Sequence, residues 1–63
     1  MNKRILELLK EVEECFKDSI FIVMNSNGEY VSIEDLDGYA LFTSIKSEQD
    51  LIKKLEKYIK ENS

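Results

Sequence analysis

The chain has 63 residues, 13 acids against nine bases, no histidine and a single cysteine, Cys15. A domain of this size buries only about 60% of the surface its unfolded form exposes, so every apolar face has to be used, and burial against a partner is an attractive supplement. Without histidine, and with one thiol and two glycines, the inventory offers no zinc set, no activated nucleophile and no phosphate-cradling loop, so neither an enzyme nor a cofactor is expected.

Asn2 can cap a helix over about 3–17, in which Ile5, Leu8, Leu9, Val12, Cys15 and Phe16 recur at the three-and-four spacing of one apolar stripe. Leu6 sits beside that stripe, and Cys15 on it reads as a small buried hydrophobe in a reducing cytoplasm. A strand over about 19–25 follows, because Ile20 to Met24 cluster β-branched and aromatic side chains. That run is far too short to span a bilayer, and the glutamate-studded first helix does not read as a signal peptide.

Asn27-Gly28 predicts a two-residue type I′ hairpin into a second strand over about 29–34. The resulting register sets Met24 against Val31, Val23 against Ser32 and Ile22 against Ile33. Phe21, Val23, Tyr30 and Ser32 then share one face, and Ile20, Ile22, Met24, Val31 and Ile33 the other. Asp37-Gly38 predicts a second turn of the same chemistry into a strand over about 39–45, with Phe42 opposite Ile33 and Leu41 opposite Glu34. Ser47 and Asp50 form a capping-box-like pair opening a helix over about 48–61, whose stripe is Leu51, Ile52, Leu55, Tyr58 and Ile59. The expected fold is a single α+β domain of order αβββα, a three-stranded antiparallel meander with both helices on its more apolar face.

The charge is unevenly placed. Between Asp18 and Ile45 lie five acids and no base, whereas the remaining residues hold eight acids and nine bases. A field of this sign argues against direct binding to nucleic acid or anionic lipid and favours a basic protein surface or a cation. A calcium loop through Asp35, Asp37 and Gly38 fails by position, since Ile33 and Ser44 would stand where its first and last carboxylates are needed.

Element order and length resemble the double-stranded-RNA-binding domain over the whole chain. That family starts its second helix with phosphate-gripping lysines, and here the turn reads Ser47, Glu48, Gln49, Asp50. In size, charge and helix-flanked three-strand build the chain also resembles small acidic phage inhibitors, including certain anti-CRISPR proteins. That resemblance implies a cytoplasmic inhibitor, of phage or mobile-element type, that occupies a basic surface of a nucleic-acid-binding or defence protein. Glu29, Glu34, Asp35 and Asp37 are the expected acidic contacts. Phe21, Val23, Tyr30, Tyr39 and Leu41 are the expected apolar contacts with that partner or with a second copy in a homodimer. Two alternatives are a homo-oligomer holding a small phosphorylated ligand through Lys53, Lys54 or Lys57, and a purely structural dimer.

Overall fold

The computed structural model describes residues 2–17 and 19–62. Their order is α1 (Lys3–Phe16), β1 (Ile20–Met24), β2 (Tyr30–Asp35), β3 (Ala40–Phe42) and α2 (Glu48–Asn62), with the three strands forming one antiparallel sheet in the order β1-β2-β3. The chain is therefore an α+β domain of order αβββα, as its periodicities predict. No helix among the described residues is long and apolar enough to cross a membrane.

Both helices lie on one face of the sheet. Ile5, Leu8 and Val12 of α1, Ile20 and Ile33 of the sheet, Ile45 from the approach to α2, and Leu51 and Leu55 of α2 form a single buried cluster. The two helices also meet each other: Phe16 stacks on Tyr58 at 5.7 Å between ring centroids, and Tyr58 meets Phe42 edge-on at 5.6 Å. These separations are in the favourable range for aromatic pairs.

The helix ends follow from local chemistry. Asn2 accepts the Arg4 N–H at 2.8 Å, and the Ser47 hydroxyl accepts the Asp50 N–H at 3.1 Å. The Asp50 carboxylate in turn accepts the Lys46 N–H at 3.0 Å. It also takes the Lys54 ammonium at 2.7 Å, and that hydrogen bond holds the Asp50 carboxyl below its ordinary range. The first turn of α1 has no acid and its last turn no base, Lys17 standing just beyond at the C-cap, so burial against the core is the main support of this helix.

The stripe of α1 ends earlier than the spacing suggests. Val12 is its last buried residue; Cys15 is exposed and Phe16 is 39% exposed, because the final turn projects past the core. Cys15 is thus a surface thiol and not the core residue its spacing implies.

Both hairpins depart from the two-residue turn in the same way. Each has a three-residue loop, closed on one side by Asn25 N–H to Glu29 O (3.0 Å) and Gly28 N–H to Asn25 O (3.0 Å). The other is closed by Asp35 N–H to Tyr39 O (2.9 Å) and Gly38 N–H to Asp35 O (3.1 Å). Gly28 and Gly38 alone take positive φ in these loops, +79° and +87°, which fits a type I turn followed by a left-handed residue and not type I′. The longer loop slips the pairing by one residue, and one extra residue then restores it: Val31 lies between Tyr30↔Met24 and Ser32↔Val23, and Leu41 between Ala40↔Glu34 and Phe42↔Ile33. Beyond these bulges the predicted pairs Ile22↔Ile33, Val23↔Ser32 and Phe42↔Ile33 stand.

The bulges move two residues. Tyr30 and Leu41, expected on the uncovered face, both pack against the buried cluster instead. Tyr30 turns to the helix side because it pairs with Met24 and not with Asn25, since a one-residue slip reverses every facing. The uncovered face keeps Phe21, 50% exposed, and Val23, half-buried, beside Ser32, Glu34 and Ala40. The third strand is shorter than predicted because Ser44 takes a left-handed φ of 56°, and Ile45 then turns into the core.

Candidate functional site

The predicted acidic residues do not form one group. Glu29 closes the first hairpin, at the same end of the sheet as the start of α2. Glu34, Asp35 and Asp37 lie at the other end, about 20 Å away along β2 at 3.3 Å per residue. Asp18 falls outside the described residues.

The lower turn is built by Asp35. One carboxylate oxygen accepts the Asp37 N–H at 2.9 Å and the Tyr39 N–H at 2.9 Å, so the side chain replaces the backbone partners that the loop lacks. Glu34 accepts the Ser32 hydroxyl at 3.0 Å. Ion pairs among the described residues join Arg4 to Glu56 and Asp50 to Lys54, and none reaches Glu34, Asp35 or Asp37. The negative charge at this end is therefore uncompensated by any ion pair among the described residues.

In the same turn stand the two most exposed large apolar side chains of the described residues, Leu36 at 65% and Tyr39 at 74%. Tyr39 is among the residues that the sequence singles out. Leu36 is not, because a turn position carries no periodic signal; its apolar character inside an acidic loop is the one sign that marks it. The result is a hydrogen-bonded turn on which two exposed apolar side chains lie in sequence beside three carboxylates.

The upper turn has the same frame and different chemistry. Asn25 accepts the Asn27 N–H at 2.9 Å and the Glu29 N–H at 3.1 Å, and donates its amide to Glu29 at 3.1 Å. It borders an open groove of about 450 Å³ lined by Asn25, Glu29, Tyr30, Val31, Ser44 and Lys46 among others. Tyr30 donates to Glu48 at 3.3 Å there, and burial, then the Glu48 charge, raises its phenol above the ordinary value. The groove sets one lysine, Lys46, beside one carboxylate, Glu29.

The other predicted features stand apart. Lys53 and Lys57 are exposed on α2, Lys54 is tied to Asp50, and none of the three lines the groove. No set of three or more metal-ligating side chains occurs among the described residues. Comparison with protein-family models, with curated proteins and with solved structures finds no match for the chain.

Proposed function

We propose that the chain is a protein-binding module that presents its lower turn to a basic partner surface. Leu36 and Tyr39 are the apolar anchors, and Glu34, Asp35 and Asp37 supply the charge that orients them. The observation that carries this reading is the pairing of the two most exposed large apolar side chains with carboxylates that make no ion pair within the described residues. A few large side chains, tyrosine prominent among them, dominate interface energies, while surrounding charge mainly steers the encounter.

The specific form is an inhibitor of a nucleic-acid-binding or defence protein, in which the acids occupy places that phosphates would take. Leu36 and Tyr39 add contacts that a nucleic-acid backbone does not offer, so affinity survives at salt concentrations where carboxylates alone would let go.

Affinity capture from lysate with the immobilised chain tests this. The expected result is a basic protein retained by the native chain, lost with Leu36→Ser and Tyr39→Ala together, and displaced by an added oligonucleotide. Equal retention by the native chain and the double variant would overturn the reading.

A further inference from the structure

We infer that the free edge of β1, flanked by α1, is a docking surface for a second copy of this chain, with β1 antiparallel to its symmetry mate about Ile22. The inference does not depend on the lower turn. It rests on which backbone groups face outward, and on where charge is absent.

In the sheet order β1-β2-β3, β1 pairs on one side only. The Ile20 N–H donates to Glu13 at 3.0 Å instead of to β2, which marks Ile20 as a residue whose backbone groups face the open edge. By the two-residue alternation of an antiparallel pair, Ile22 and Met24 face the same way. Glu13 thus closes the Ile20 end of the edge, and no side chain among the described residues is seen closing it at Ile22 or Met24.

α1 extends the surface. Leu9 and Leu6 stand four and seven residues before Glu13, on the same side of the helix. Glu13 to Leu6 spans about 10 Å at the helical rise, and Ile20 to Met24 about 13 Å at the strand rise, so from the shared Glu13–Ile20 contact the two rows are of similar length. Leu6 is 45% and Met24 48% exposed, and Leu9 and Ile22 are half-buried. Together they form an apolar strip along an edge that natural sheets usually protect with charge, proline or cover.

A second copy is the occupant that this strip fits. Two chains that each carry a net charge of −4 repel one another over most of their surfaces, but β1 has no charged side chain. The adjoining flank of α1 carries Lys10 and Lys17 against Glu13, the reverse of the acidic balance elsewhere. The strand is also self-complementary. With the two-fold at Ile22, Ile22 meets its own copy, Met24 meets Ile20, and Phe21 meets Val23, so every cross-strand pair is apolar, as an isologous interface requires. Met24 N–H groups find the Ile20 carbonyls of the other copy, while the Ile20 N–H keeps Glu13.

Sedimentation of the full chain over a range of concentrations, combined with amide hydrogen exchange, tests this. The expected outcome is a dimer whose Ile22 and Met24 amides become protected as concentration rises. Leu6→Lys with Met24→Lys, both at exposed positions, should return it to a monomer with unchanged circular dichroism. Three results would each overturn the inference. One is a monomer at millimolar concentration, which would leave the edge to a foreign strand or to solvent. The second is a dimer that survives Leu6→Lys with Met24→Lys but dissociates with Phe21→Asp, which would place the contact on the uncovered sheet face. The third is a dimer in which Ile22 and Met24 exchange as fast as in the monomer.

Discussion

The turns at Asn25–Glu29 and Asp35–Tyr39 are closed by the same set of hydrogen bonds, of nearly equal lengths. In each, one side-chain oxygen accepts two backbone N–H groups, a glycine takes the left-handed position, and an extra residue follows to restore the register. Their exposed positions differ. The upper loop carries Ser26, Asn27 and Glu29, and the lower one Leu36, Asp37 and Tyr39. Since the upper loop reaches the same geometry without an apolar side chain, folding does not call for Leu36 and Tyr39. Large apolar groups left in water without a folding role are the usual mark of a contact surface.

The largest expected contrast is in binding. Replacing Leu36 by Ser and Tyr39 by Ala should weaken partner capture by about 2 kcal/mol or more, roughly thirty-fold, while Ser26→Ala and Glu29→Ala leave it unchanged. Thermal unfolding of all four variants should stay within about 0.5 kcal/mol of the native chain. A loss of binding from the upper pair would break the contrast between the turns.

Next in size are the glycines. A Cβ on Gly28 or Gly38 meets no atom within 4 Å, so the cost of alanine at either is the left-handed backbone alone. Urea denaturation should show a loss of about 1–2 kcal/mol for each, and the two values should agree. Unequal losses would mean that the frames are not equivalent.

A smaller effect separates shape from charge. Asn25→Ala and Asp35→Ala each remove an acceptor from two N–H groups and should cost about 1 kcal/mol in the same assay. Asp35→Asn keeps that acceptor, so it should leave stability nearly intact and reduce capture at low salt only. If Asp35→Asn unfolds the turn as alanine does, the carboxylate charge and not its geometry holds the loop.

The smallest effect comes from the left-handed end of α1, at Lys17 with φ 58° and no glycine. Lys17→Gly should stabilise the chain by about 0.5–1 kcal/mol, by relieving a strain that Gly28 and Gly38 avoid in the two turns. A loss of stability would show that the lysine side chain makes a contribution exceeding that strain.

The parts of the fold that repeat were legible in the sequence, and the parts that depend on one residue were not. The 3.6-residue stripes of α1 and α2, the cap at Asn2 and the Ser47–Asp50 pair all follow from spacing, and the structure has them, save that the α1 stripe stops at Val12, short of Cys15 and Phe16. Asn27-Gly28 and Asp37-Gly38 located both turns, yet Asn25 and Asp35 decided their length, because an Asx side chain that accepts two N–H groups favours a three-residue loop over type I′. The compensating bulges at Val31 and Leu41 carry no periodic mark, and so Tyr30 and Leu41 could not be given their true face. Glu34, Asp35, Asp37 and Tyr39 come together because they are close in sequence. Glu29 does not join them, since charge counted along a chain ignores that a strand carries its two ends apart.

The bond set around Asp35 has a kinetic consequence. A loop already fixed by its own side chain surrenders little freedom when another molecule grips it, so ordering costs that burden flexible recognition segments are small here. Substitutions on its outer surface should then register chiefly in how long a complex lasts, and hardly in how fast it forms.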